Sequence, residues 1–168
     1  MAFMNINGPI VADTAYCENV LVAKDVEITL PAVTPVMADV EAMGTMSLPI
    51  WQRVENMEMT VGKVGIDKGL AAMIKPGMKP LEFRFPQETV DANGNTKVVA
   101  CKAFVKGMPT GIPEIGIVPG EAITNSTAFT VTRYQLFVDG KELFLVDRLA
   151  NIVRINGKDY ASDVQSML

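Results

Sequence analysis

Apolar and polar residues alternate with a period of two over much of this chain, a pattern that predicts strands with two unlike faces. In the run Val20 to Leu30 the even positions are mostly apolar, Glu27 and Thr29 face the other way, and Pro31 ends the run. Residues 54 to 64 alternate again, with Met57, Met59 and Val61 on one face and Asn56, Glu58 and Thr60 on the other. Between these runs, residues 32–53 contain the breaks Pro35, Gly44 and Pro49 and a scatter of apolar side chains from Val36 and Met37 to Ile50 and Trp51. That stretch reads as an extended loop or hairpin arm too apolar to be left in water.

A helix is predicted over residues 66–75, because the Asp67 carboxylate can cap its first turn and Pro76-Gly77 stops it. Leu81, Phe83 and Phe85 alternate with Glu82 and Arg84, and a second strand from Thr96 to about Lys106 follows the turn Asp91-Ala92-Asn93-Gly94-Asn95. Residues 107–124, rich in Gly and Pro, read as a loop. From Thr127 the chain is strand again to Val138, turns at Asp139-Gly140 and returns through Leu143 and Leu145. A two-residue turn that pairs Val138 with Lys141 predicts one core face of Tyr134, Leu136, Leu143 and Leu145. The opposite face then holds Arg133, Gln135, Phe137, Glu142 and Phe144. With two aromatic rings, it is either a second packing layer or a subunit contact, and Phe137 and Phe144 are the candidates for the latter. A short strand over Ile152 to Ile155 precedes the tail, and no internal repeat of 20–50 residues is visible.

Composition narrows the function. At 168 residues the chain reads as one domain spanning 1–168. It contains no histidine, so the Ser-His-Asp and Cys-His catalytic arrangements and two-histidine metal sites are excluded. Nineteen carboxylates against 15 basic residues give a net charge of -4, which offers no net attraction to phosphate or anionic lipid. Cys17 and Cys101 lie far apart without CxxC spacing and are expected to be reduced and buried. The start Met1-Ala2-Phe3-Met4-Asn5 has no basic n-region and no apolar stretch of signal-peptide length, and no apolar run is long enough for a membrane helix. The expectation is a soluble protein with no membrane anchor, folded in the cytoplasm. Aromatics are only 7% while Met reaches 11, so the apolar excess lies in aliphatic residues and Met, part of it expected between subunits.

Other chemistry fails on inspection. Asp91-x-Asn93-x-Asn95 begins like a calcium loop, but Thr96 stands where Gly is needed and Lys102 where a bidentate Glu is needed. Gly62-Lys63-Val64-Gly65 lacks the cradle of a phosphate loop, and Asn125-Ser126-Thr127 is a chance sequon in a chain not expected to be exported. Glu55 and Glu58, three apart in a strand, point to opposite faces and make no acid-base pair. Met37, Met43, Met46, Met57 and Met59 suit packing better than a soft-metal site. No cofactor and no enzymatic role are expected.

The segment Tyr134-Gln135-Leu136-Phe137-Val138-Asp139-Gly140-Lys141-Glu142, continuing to Asp147, and then Arg154-Ile155-Asn156-Gly157-Lys158-Asp159, resembles the closing pattern of the major tail tube proteins of contractile-tailed phages and R-type bacteriocins. One residue fewer stands between Arg154 and Ile155 than in the family's pattern. Ile28-Thr29-Leu30-Pro31, the Ala42-Met43-Gly44 region and Val54-Glu55-Asn56-Met57-Glu58 also look like the family's first long strands and the arm joining them. The resemblance covers about residues 17–65 and 131–168.

It implies a mainly β structural subunit, a barrel or sandwich with one short outer helix, whose strands join a shared inner barrel of a homo-hexameric ring. Rings would stack inside a sheath, with the arm reaching a neighbouring ring. The lumen would pass DNA in a phage, and baseplate and tail terminator proteins would be further partners in the virion tail. On strand parity the lumen-facing candidates are Glu27, Thr29, Asn56, Glu58, Thr60, Glu82 and Arg84. The ring-stacking candidates are Met43, Met46, Leu48 and Trp51, whose plainer alternative is a satellite core under a long loop. An acidic wall would let duplex DNA slide. The second reading is a carbohydrate- or protein-binding β-sandwich attachment module, for which Trp51 is the one plausible loop platform.

Overall fold

The structure, a computed structural model, describes residues 4–168; Met1, Ala2 and Phe3, the beginning of the start examined for an export signal, lie outside the described residues. β1 (Ile6–Ile10) is followed by a hairpin of β2 (Thr14–Cys17) and β3 (Val20–Lys24). Asp25, at φ 50, breaks the alternating run Val20–Leu30, so only the short β4 (Ile28–Thr29) continues it. Two strands lie within and just beyond the stretch 32–53. β5 (Pro35–Glu41) and β6 (Thr45–Val54) pair with each other and, among the described residues, with no third strand, closing on a tip at Met43-Gly44. β7 (Met57–Val64) then shows perfect alternation, with Met57, Met59, Val61 and Lys63 buried.

α1 (Lys68–Ile74) starts as expected, with Asp67 Oδ1 accepting from the amides of Gly69 at 2.8 Å and Leu70 at 3.2 Å. It buries Leu70 and Met73. Its far end carries a feature the alternation hid: the Lys79 ammonium, on a side chain 2% exposed, donates to the carbonyls of Ala72 at 2.6 Å and Met73 at 3.5 Å. Those carbonyls have no partner within the helix, so the lysine closes its C-terminus.

β8 (Lys79–Arg84) and β9 (Gln87–Val90) lead up to the Asp91–Asn95 turn, and β10 (Thr96–Val99) and β11 (Cys101–Pro109) lead back. Asp91 holds the turn by accepting from the amides of Asn93 and Asn95. β1 adds to β9, making a small exposed sheet β1-β9-β10. β11 runs through Pro109 and β12 (Thr124–Val138) begins at Thr124, so the expected loop 107–124 shortens to 110–123. β13 (Lys141–Asp147), β14 (Ile152–Ile155), β15 (Lys158–Asp159) and a second helix, α2 (Ser162–Met167), complete the chain. α2 was not expected from the sequence, and it buries no residue.

The fold is mainly β, and the described residues close no barrel within one subunit. Its large sheet has the order β15-β14-β13-β12-β11-β8-β2-β3, with β7 on the first half of β12 and β4 on β7. The 15-residue β12 joins two zones: residues 124–131 pair with β7, and residues 133–138 with β13. Between them Thr132 is an extra residue opposite the Lys106–Gly107 step, a bulge that turns the strand. Gly107 fits there because a Cβ would lie 3.0 Å from the Thr130 carbonyl oxygen. The core under this sheet includes Met57, Met59, Val61, Leu81, Phe83, Val105, Phe129, Val131 and Tyr134, with Leu70 and Met73 from α1.

The last hairpin keeps the expected register only at Val138↔Lys141 and Phe137↔Glu142. Leu143 is then bulged out, so Leu136 pairs with Phe144 and Tyr134 with Val146. Phe144 therefore packs against the core, edge to face with Tyr134 at 4.9 Å, and not beside Phe137. Leu143, expected in the core, is exposed, and Leu145 moves to the other face opposite Gln135. One bulged residue suffices, because side-chain direction alternates strictly along a strand.

Candidate assembly surfaces

Strand parity and cross-strand register bring most of the polar candidates to one side of the large sheet. Thr29 pairs with Thr60, and Glu58 and Thr60 stand opposite Thr130 and Ala128 of β12. The Asn56 amide donates to Glu58 Oε1 at 3.0 Å, and Glu27 sits at the β4 edge, where its carbonyl accepts from Gly62 N at 2.7 Å. A Cβ at Gly62 would lie 2.9 Å from that carbonyl oxygen, so glycine lets the Glu27 segment sit close to β7. Glu82 and Arg84 also face away from the core, but beyond the Thr132 bulge, in the second zone. There they engage each other at 2.7 Å, and the Arg84 guanidinium lies 4.7 Å over the Tyr16 ring.

The two zones differ in charge. Glu27 and Glu58 mark the first. The second carries Lys102, Lys106 and Arg133 on the same face, with the Glu82 carboxylate taken up by Arg84. The net charge of -4 is thus not spread evenly over this sheet face. Phe104 and Phe137 stack edge to face at 5.6 Å in the second zone, so Phe137 is on the outer face as expected and Phe144 is not.

The arm has two unlike faces. Val36, Ala38 and Val40 pair with Ile50, Leu48 and Met46, so one face of the hairpin is wholly apolar. The opposite face carries Asp39 across from Ser47, whose hydroxyl donates to it, and Glu41 across from Thr45. Met43, at φ 55, is fully exposed at the tip. Towards the tip Val40, Met46 and Leu48 are 42%, 48% and 43% exposed, whereas Val36, Ala38 and Ile50 at the base are half-buried, so among the described residues only the outer half of this face is left uncovered. Trp51 lies at the base, where β6 has an irregular stretch, and by parity it belongs with Pro49 and not with Met46 and Leu48. Near it the Gln52 side chain donates to the Tyr160 carbonyl at 3.2 Å, tying the arm to the body.

The residues that carry the C-terminal resemblance perform structural tasks. Asp139-Gly140 makes the tight turn with both φ positive, and Asp147 accepts from the amides of Leu149 and Ala150 at 3.0 Å. Glu142 receives two bonds from Arg154, at 2.6 and 3.0 Å, and one from Gln135 at 2.6 Å, stitching β12, β13 and β14 together. The Arg154 hydrogen bond, with a smaller contribution from Gln135, holds the Glu142 carboxyl below its ordinary value, against a desolvation that pushes it up. A lowered folded pKa contributes stability that is present above the ordinary glutamate range and is lost as pH falls through the folded value. Glu142→Gln is therefore expected to lower the urea midpoint at about pH 7, with the deficit shrinking at an acid pH below the folded value of Glu142. An equal deficit at both pH values would contradict this. Burial raises the thiols of Cys17 and Cys101 and pushes the Tyr134 phenol up to about 12, so these groups stay neutral near neutral pH. Among the described residues no group of three or more acidic or cysteine side chains is placed to hold a metal, and no helix is long and apolar enough to cross a membrane.

The family model of phage tail tube protein FII matches residues 10–168. No curated protein matches the chain. Among solved structures, a chain of the sheath-tube complex of the extracellular contractile injection system PVC in its extended state is similar, with a TM-score of 0.52 and 9% identity, over 77% of this chain and 90% of that one. A chain from the sheath/tube terminator structure of the same system gives a TM-score of 0.53 and 8% identity, over 77% and 96%. At such identities the likeness is one of fold.

Proposed function

Because this chain belongs to the phage tail tube protein FII family, we propose that its copies close into hexameric rings and that the rings stack into a hollow conduit, passing DNA in a phage or puncturing a membrane in a bacteriocin. The protein is a structural subunit of a tail tube, a component of a tail particle. In this reading it needs neither a cofactor nor a catalytic group. The observation that carries the assembly is the arm, a hairpin with one wholly apolar face whose outer half, Val40, Met46 and Leu48, is exposed among the described residues. Bare apolar area of this kind is stable in water when another surface covers it.

The first zone of the sheet, with Glu27, Thr29, Asn56, Glu58 and Thr60, supplies the lumen wall in this arrangement. Its acidic side chains repel phosphate, so DNA passes without being held. Glu82 and Arg84, past the bulge and tied to each other and to Tyr16, belong instead to the surface between subunits. Phe137 lies on that surface too. Sheath, baseplate and terminator proteins are the further partners of the tube, assembled in the host cytoplasm. Negative-stain imaging of the purified protein is expected to show rings or tubes of six-fold symmetry. Uniform monomers at every concentration would overturn the reading and favour an attachment module.

A further inference from the structure

The second zone of the sheet contains a cavity of about 230 Å³ whose lining includes Tyr16, Leu81, Phe104, Lys106, Arg133 and Gln135. Its walls combine aromatic and aliphatic side chains with the cations Lys106 and Arg133 and the carboxylate of Glu82. Among the described residues Lys106 and Arg133 take part in no ion pair, and the one carboxylate in the cavity lining, Glu82, is bound to Arg84. The Arg133 Nε is buried and has no hydrogen-bond acceptor. The other two buried side-chain polar atoms without partners, on Asn125 and Thr127, belong to the core face of β12. A buried donor without an acceptor is rare in a finished structure, and a guanidinium meets its match in a carboxylate. The cavity thus asks for a segment that presents an apolar side chain beside acidic ones.

The arm tip has that chemistry. Asp39 and Glu41 stand on its polar face, neither in an ion pair among the described residues, and Met43 projects from the turn. Methionine is unbranched and makes favourable contacts with aromatic edges such as those of Tyr16 and Phe104. Seven residues of β5 carry the tip roughly 20 Å along the strand from the start of the arm at Pro35. We propose that the cavity lined by Tyr16, Phe104, Lys106 and Arg133 is the receiving site for the arm tip of a second copy of this chain, with Met43 seated on the aromatic walls and Asp39 and Glu41 facing Lys106 and Arg133. This rests on the reading of the protein as a self-assembling tube subunit and adds the surface that receives the arm.

Charge reversal tests it from both sides. D39K/E41K and K106E/R133E are each expected to lower the yield of tubes about tenfold or more, and combining all four changes in one chain is expected to restore it to within about twofold. Each variant's melting curve reports whether it folds, and K106E alone serves as the milder receiver variant if R133E unfolds. In a separate pair, M43C and N19C, the latter at another residue of the cavity lining, oxidation of tubes grown from mixed subunits should join the two variants into a covalent dimer. Normal tubes from the folded reversed variants, no recovery on combining them, or no crosslink in tubes would each overturn the cavity as the receiving site. Tubes that require the apolar arm face yet ignore these reversals would leave the tube reading standing and send the arm elsewhere, and capture of a different acidic protein at the cavity would have the same meaning. Failure of the unmodified protein to form any tube would strike the tube reading itself.

Discussion

Replacing Met46 and Leu48 together with aspartate leaves a folded subunit that no longer grows tubes. Both side chains are nearly half exposed in the single subunit and lie on the apolar face of a hairpin that, among the described residues, pairs with no other strand. Changes at such exposed sites alter subunit stability by only about 0.5 kcal/mol. At an interface the same changes act differently. Each lost apolar side chain removes about 1–2 kcal/mol of burial, and each new carboxylate must be desolvated without a partner, at several kcal/mol more. The contact would recur at every copy, so a penalty of this size ends growth and does not merely shorten tubes. Electron microscopy beside a thermal melt separates the outcomes. A normal melt without tubes is the expected result, whereas normal tubes would remove the arm from the stacking interface.

Much of this architecture was legible in the chain because its signals are local. Asp67 and Pro76-Gly77 bracket α1, Asp91–Asn95 and Asp139-Gly140 make turns, and the run 32–53 is too apolar for a solvated loop yet too broken for a core strand. The polar candidates on β7 and β8 share a sheet face because those strands carry no bulge along their paired runs, so parity holds along them. Parity failed where one residue is added. Leu143 moved Phe144 to the core, and Thr132 divides the outer face into two zones that alternation alone cannot tell apart. β1 escaped notice because all five of its residues are exposed, leaving no contrast to read, and α2 escaped because it buries none. The receiving cavity depends on strands far apart in sequence, β2, β8, β11 and β12, whose adjacency no local pattern announces.

The other large effect expected is on the stability of the subunit, and it comes from a lysine that reads as an ordinary polar strand position. Lys79 occupies the same buried parity as Leu81 and Phe83, and its ammonium is the donor for the last carbonyls of α1. Two opposed terms decide what its loss does. Removing a buried charge relieves a desolvation cost, which is why apolar replacements of buried ions are sometimes neutral. Here the partners are backbone carbonyls that stay behind, and the Cys17 thiol, 3.9 Å from the Ala72 oxygen, is too weak a donor to replace an ammonium. Orphaned acceptors therefore dominate, and Lys79→Met, which fills much of the volume, is expected to cost about 1–3 kcal/mol. Lys79→Ala adds the cavity left by the side chain and is expected to cost about 3–5 kcal/mol, or roughly 6–20 °C in melting temperature for a chain of this size. Lys97→Ala, at an exposed position on β10, should move the melt by no more than about 1–2 °C. Equal melting of Lys79→Ala and the wild type would mean that α1 closes its own C-terminus, and that the buried lysine contributes nothing to holding the helix on the sheet.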